Sequence, residues 1–447
     1  MKQKILSVIQ SVAEHLNSDD FKSSNRLDAH NFVRQRSLPF VSVVVIIINN
    51  ISKSLNVELS KFFIHIKSKL EATKQAFSKA RYKMKWESFV ELNDVLITAY
   101  YKTGDYQLFK GKYLLMATDG SDYELPYEKH LVTEFGVADN GITKQPICMA
   151  KGIKIWDIMN KMTISSFIGH YDIAEINHFK TAWQHAKDLL ENRIKGQLLL
   201  LGDMHYPSFW LIHDLCTSGV KFAFRCPPTF CREVIAFMTF MKSSEKDAIL
   251  TIAIGTDTAR KCTFKRQTGL KEIPQCLRIR AIKFTQATGE QGCIITNLTV
   301  EELSYDELCD LYGLRWGIEV SYDFDKNRME IENFSAKLPQ GVRQDWYANT
   351  FTSNMAQLII DEAQKLLDME LKGKDNKYDY QINRSVALGL IKDEIPKMLL
   401  GIEKPITFYN RMVNSIKKFR EPIRPNRSYP REKKHKIKFS MNLRRVV

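Results

Sequence analysis

Two acids in this chain each close an apolar run. Asp119 follows Tyr113-Leu-Leu-Met-Ala-Thr, and Asp203 follows Gln197-Leu-Leu-Leu-Leu-Gly. A third acid, Glu319, stands in the spaced set Tyr312, Arg315, Glu319 and Lys326. On one straight helix these four would fall at about 0°, 300°, 340° and 320° around the axis, within an arc of roughly 60°. A stripe of a phenol, two cations and an acid is not a core face. Each Asp alone reads more readily as a turn residue at a strand end than as a catalytic acid; their conjunction with the stripe points to chemistry. Carboxylate oxygens are the ligands of hard divalent ions, and two Mg²⁺ roughly 3.5–4 Å apart stabilise both the attacking and the leaving oxygen of a phosphodiester. Arg315 and Lys326 would hold phosphates, the first with a two-pronged fork and the second as a point charge.

The elements that must position these acids are legible in outline. Residues 1–105 carry no Gly or Pro apart from Pro39 and Gly104 and have helical spacing, with Lys61–Trp86 reading as one amphipathic helix with a basic face. Strands are expected at 113–120, 153–158, 162–168, 197–203 and 221–225, with helices over 176–190 and 208–216. That order is the order of a ribonuclease-H-like mixed sheet, whose first three strands form an antiparallel meander. In such a sheet the strands ending on Asp119 and Asp203 are neighbours. The stretch 227–292 reads as a β-rich insertion, with strands at 250–254 and 277–284, the second having a basic solvent-facing side. Cys293–Thr296 returns to the main sheet, and a long helix begins at Ser304 with a capping box completed by Glu307. The remainder is helical to about Leu367. Gly313 and Gly317 are expected where DNA or another helix comes close, and a break at Gly313 would turn Tyr312 off the stripe. His205 reads as a strand-end packing residue, with contact to the metal site beside Asp203 as the alternative.

The balance of 66 Lys+Arg against 51 Asp+Glu gives a formal +15. Residues 411–447 hold thirteen Lys/Arg and two Glu, and Lys61–Trp86 holds eight Lys/Arg and one acid. Two such patches point to a polyanion, with phosphate contacts giving largely non-specific affinity. The apolar segment Leu38–Ile48 is too short for a bilayer, which needs roughly 20 residues. Eight cysteines without zinc-ligand spacing read as free thiols of a reducing cytosol. No membrane partner is expected.

The run Leu311-Tyr-Gly-Leu-Arg-Trp-Gly-Ile-Glu319…Lys326 resembles the "YREK" signature of bacterial insertion-sequence transposases of the insertion-sequence-four type. Thr118-Asp119-Gly120-Ser121 looks like that family's first-Asp motif and Leu200-Leu-Gly-Asp203 like its second. Arg427-Ser-Tyr-Pro-Arg431 is a looser echo. The resemblance implies a DDE transposase in which Asp119, Asp203 and Glu319 are catalytic and ligate two Mg²⁺, with Mn²⁺ substituting. It implies Tyr312, Arg315, Trp316 and Lys326 on DNA, Trp316 standing where relatives stack a flipped base. Arg225, at a strand end, is a further candidate DNA contact. Partners would be double-stranded DNA, both terminal inverted repeats and target, bound by a homodimer in a synaptic complex. Cut-and-paste transfer through a hairpin is implied, in a bacterial cytoplasm and at the nucleoid. The sequence departs from the family at Met204-His205-Tyr206-Pro207 and in the acidic Asp323-Phe324-Asp325.

The expected organisation is α/β: a helical DNA-binding region over 1–105, the ribonuclease-H-like core over 106–226, the insertion over 227–292, the second part of the core with the helix of Glu319 over 293–367, and a basic helical C-terminal region over 368–447. The rival readings are a ribonuclease-H-like nuclease or resolvase without strand transfer, a domesticated DNA-binding protein without catalysis, and, more remotely, a glycosidase built on an acid pair.

Overall fold

Residues 2–34, 37–49, 54–68, 71–139, 146–240, 245–285 and 289–424 are described by a computed structural model. The N-terminal part folds as α1 (Lys2–Leu16), α2 (Asp19–Asn25), α3 (Phe40–Ile48), α4 (Leu55–His65), α5 (Lys74–Arg81) and α6 (Glu87–Lys102). The basic run Lys61–Trp86 is therefore not one helix. It spans the end of α4, all of α5 and the turn into α6. One of its cations is structural: Arg81 is buried, and its guanidinium bonds Gln344, Ser335, Asp345 and the Gly341 carbonyl. A guanidinium has five donors, so it can tie one loop to a distant helix only when each donor finds an acceptor. Sequence alone could not show that the acceptors lay at 335–345.

Next come β1 (Tyr113–Glu124), α7 (Lys129–Phe135), the short β2 (Val137–Ala138), β3 (Ile147–Asp157), β4 (Met162–His170), α8 (Glu175–Leu190), β5 (Gln197–Gly202), α9 (Phe209–Thr217) and β6 (Lys221–Cys226). β1 runs antiparallel to β3 and β3 antiparallel to β4, which is the expected meander. β5 lies parallel to β1 on one side and to β6 on the other. A strand flanked in parallel and covered on both faces must be apolar throughout, which is why Leu199, Leu200 and Leu201 are fully buried. The order β4-β3-β1-β5-β6 is that of the ribonuclease-H-like fold.

The stretch 227–292 contains α10 (Arg232–Phe240), β7 (Asp247–Ala253), α11 (Thr258–Thr268), β8 (Cys276–Thr285) and the start of β9 (Gln291–Thr296). Two helices thus accompany its strands. β9 pairs antiparallel with β6, and β8 and β7 follow outward, so these strands prolong the main sheet. Of the basic residues of β8 only Arg278 faces solvent: Arg280 and Lys283 are buried, Arg280 bonding Asp247 and the Thr299 and Leu303 carbonyls.

The helix expected from Ser304 starts with the capping box but divides into α12 (Tyr305–Gly313) and α13 (Trp316–Asn327). Across the break the amides of Leu314, Arg315, Gly317 and Ile318 each bond the carbonyl three residues back, a tightened 3₁₀ step at a weak helix position. The long α14 (Pro339–Leu371) follows, then β10 (Tyr380–Ile382), α15 (Arg384–Leu399), α16 (Pro405–Ile416) and β11 (Arg420–Pro422). α14 packs on α6, α3, α16 and β4, while α1 packs on α6 and α16. The N- and C-terminal helices thus share one layer and one core. Most of the expected basic tail, with Arg427–Arg431, lies outside the described residues. No helix among the described residues is long and apolar enough to cross a membrane.

Candidate active site

Register decides where the first two acids meet. Ala117 of β1 is opposite Leu201 of β5, so Asp119 and Asp203, each two residues further on, come level where β5 ends. They are close enough that the Asp203 charge acts on the Asp119 carboxyl. Asp203 is held by an Asx turn: its Oδ1 accepts from the His205 amide at 2.8 Å, and its Oδ2 lies 2.9 Å from His205 Nδ1. The His205 ring is largely exposed, so it does not pack at the strand end as expected.

Glu319 is brought to this edge by α13, which three contacts fasten across β1 and β3. The Tyr322 hydroxyl donates to the Asp119 carbonyl at 2.5 Å. Lys326 Nζ donates to the Asp122 carbonyl at 2.6 Å and lies 4.5 Å from the Tyr123 ring centre. Lys154, opposite Asp119 in the β1–β3 register, makes a fully buried ion pair with Asp325. The unusual acidity at 323–325 therefore has a structural use. Gly317 serves close approach, but to a strand: a Cβ there would lie 2.8 Å from the Trp156 ring, whereas one at Gly313 meets nothing.

Arg315 occupies the space between two of the acids. Its Nη2 donates to Glu319 Oε1 at 2.7 Å, and its Nη1 lies 3.7 Å from Asp119 Oδ2. The Nε finds no partner among the described residues. Tyr312, turned by the helix break, is buried with its hydroxyl 3.4 Å from the Gly202 carbonyl, beside Asp203. Burial pushes its phenol up to about 12, against the pull of Arg315 and Arg225. Arg225, half-buried on β6, is thus a neighbour of the site. Trp316 is 58% exposed beside the Arg315 guanidinium, a bare indole on a charged edge.

The structure adds residues the sequence reading missed. Glu175 opens α8, and its carboxylate lies against Gly120, where a Cβ would come within 2.4 Å of it. The buried Tyr206 donates to Glu175 Oε1 at 2.5 Å and receives the Thr118 hydroxyl at 3.2 Å. An acid in the first turn of a helix is so ordinary that no sequence signal marks it. Tyr206 lies in the departure Met204–Pro207, which was the only hint.

Crowding of acids perturbs them. Burial raises the Asp119 carboxyl to about 7; Glu175 and Asp203 add to this, and Arg315 opposes it. Glu175 is raised by burial, with Asp203 adding and the Tyr206 hydrogen bond opposing. The donor set, carboxylate oxygens from β1, β5 and α13, fits a hard divalent cation. Among the described residues no three His, Cys, Asp or Glu stand close enough to share one ion as they are. The reason visible here is Arg315, whose positive charge bridges Asp119 and Glu319.

Asp119 does not end its strand as expected but lies within β1, which runs on to Glu124 against β3; a ribonuclease-H-like sheet with one acid in its first core strand, one at the end of its fourth and a third on a following helix defines the class of this domain. Residues 160–355 match the family model described as a transposase DDE domain, a span that includes Asp203, Glu319 and Glu175 and begins after Asp119. The solved piggyBac transposase synaptic complex with hairpin DNA is similar at a TM-score of 0.43 and 8% identity, covering 93% of this chain and 79% of that one. No curated protein matches the chain in sequence.

Proposed function

We propose that this chain is a DDE transposase, cleaving DNA at the ends of a mobile element and joining them to target DNA. The observation that carries the reading is the edge where Asp119, Asp203 and Glu319 converge from three elements, two of the acids lying within the matched transposase span. Two Mg²⁺ held there by the three carboxylates would supply the charge that phosphodiester displacement needs, with Mn²⁺ as a substitute.

The chain's own residues would do the rest. Asp119, within β1, and Asp203, at the end of the neighbouring β5, present oxygens from adjacent strands, and α13, fixed by Tyr322 and the Lys154–Asp325 pair, sets the reach of Glu319. Arg315 would exchange its carboxylate partners for a DNA phosphate, and Lys326, Tyr312 and Arg225 line the same edge for the backbone. Trp316, exposed at the rim, offers a face for an unstacked base, as hairpin-forming cleavage would require. Double-stranded DNA with terminal inverted repeats is the proposed substrate, held by a homodimer, and a bacterial cytoplasm the proposed setting.

The test is cleavage of a labelled duplex carrying the element's own ends, in Mg²⁺ and in EDTA, by wild type, Asp203→Asn and Glu319→Ala. Metal-dependent nicking at the boundary that both variants lose supports the reading, and a hairpin product assigns the cut-and-paste route. Nicking without joining would favour the resolvase reading; binding without nicking would favour the domesticated protein.

A further inference from the structure

We propose that Glu175 is a fourth carboxylate of the catalytic centre, facing the metal on the Asp119–Asp203 side. This rests on the reading of that edge as a divalent-cation site. Four observations converge on it. Glu175 is the first residue of α8, the crossover helix that leads from the meander into β5, so the fold itself delivers it to the strand ends. Its carboxylate lies against the α-carbon of Gly120, the residue after Asp119, in space that any larger residue at 120 would fill. The residue that holds it, Tyr206, is itself tied to the second acid, its amide donating to the Asp203 carbonyl at 3.3 Å. Glu175 Oε1 alone is engaged, by Tyr206, whose own hydroxyl is fixed by Thr118.

That last arrangement separates Glu175 from an ordinary acid at a helix start. An acid there to favour the helix dipole acts from solvent, without any partner that orients it. Glu175 instead turns from solvent toward two other carboxylates, an unfavourable placement unless positive charge joins them. Arg315 bridges Asp119 and Glu319 and bonds neither Asp203 nor Glu175 among the contacts described; on that side only the largely exposed His205 ring lies against Asp203, and a tyrosine hydroxyl, not a cation, bonds Glu175. Two divalent ions carry four positive charges; Asp119, Asp203 and Glu319 supply three negative ones, and Glu175 supplies the fourth. A carboxylate oriented by a second residue is the ordinary way to stiffen a metal ligand.

Binding of Mn²⁺ alone to the full chain, followed by electron paramagnetic resonance and calorimetry, tests this on wild type, Glu175→Gln, Glu175→Asp, Asp203→Asn and Glu319→Gln. Glu175→Gln keeps the Tyr206 hydrogen bond and removes only the charge. We expect Mn²⁺ affinity to fall roughly tenfold or more at an unchanged melting temperature. Glu175→Asp, which keeps the charge one methylene further back, should fall between it and wild type. Unchanged affinity in both Glu175 variants, with loss in Asp203→Asn and Glu319→Gln, would overturn the proposal and leave the triad standing. Unchanged affinity in all four would overturn the metal-site reading itself. Should Glu175→Gln misfold, an unaltered Mn²⁺ affinity in Glu175→Asp alone counts against the proposal.

Discussion

The hydroxyl of Tyr322 donates to the main-chain carbonyl of Asp119 at 2.5 Å, joining the helix that carries the third acid to the strand that carries the first. Tyr322 is buried, so the hydroxyl and carbonyl have little recourse to water. Tyr322→Phe should cost about 1–3 kcal/mol, the price of an unsatisfied buried carbonyl. Denaturant unfolding would measure this. Metal-dependent nicking should fall further than stability does, because Glu319 loses its fixed distance from Asp119.

The Lys154–Asp325 pair predicts a double-mutant result. Both side chains are buried, and Asp325 Oδ1 finds no partner among the described residues, so the pair depends on its mutual bond. Lys154→Met alone should lose roughly 3–5 kcal/mol, because a buried carboxylate is left uncompensated. Lys154→Met with Asp325→Leu should recover most of that loss. Unfolding midpoints of the two singles and the double would show it, and additive losses would exclude the pairing.

Arg315 predicts a dependence on cations. It is the counter-charge between Asp119 and Glu319, with its own side chain only 10% exposed. Arg315→Ala should destabilise the metal-free protein by roughly 1–3 kcal/mol. Mg²⁺ should then raise the melting temperature of the variant more than that of wild type, since the ion replaces the lost charge. Equal Mg²⁺ shifts in both would show that Arg315 and the ion do not share that space.

Asp119 gives the protein a pH signature. Its carboxyl sits at about 7 in the fold against roughly 4 in an unfolded chain. The folded form therefore holds a proton that the unfolded form has lost between those values. The stability this confers is present below about pH 4 and disappears as pH rises through about 7. Asp157 and Asp361, raised by burial to about 6, act in the same direction. Without divalent ions, thermal stability should decline from pH 5 to pH 8, and Asp119→Asn should flatten that decline. A divalent ion should flatten it too, by favouring the carboxylate.

The sequence alone was enough for the elements that hydrophobicity writes directly. The apolar runs into Asp119 and Asp203 fold as β1 and β5, the capping box at Ser304 starts α12, and the order of strands and helices is the order of the mixed sheet. These depend on short-range patterns, since a strand buried on both faces must be apolar along its length; β5 stops before Asp203, but β1 runs on past Asp119 to Glu124 because it still has β3 to pair with. The basic residues were less legible, because a cation on solvent and a cation in a buried ion pair have the same letter. Arg81, Lys154 and Arg280 each found acceptors far along the chain.

What only the tertiary structure decided is the company each site residue keeps. The parallel register of β1 and β5 sets Asp119 level with Asp203, and the 3₁₀ step after Gly313 sends Tyr312 to Gly202 while leaving Arg315 on Glu319. Glu175 joins them because the helix crossing from β4 to β5 must start at the same sheet end where those acids stand. Local propensity fixes which residues form a helix or a strand, but it carries no information about which chain ends meet. That is settled by long-range pairing of strands and by the burial of the faces they share.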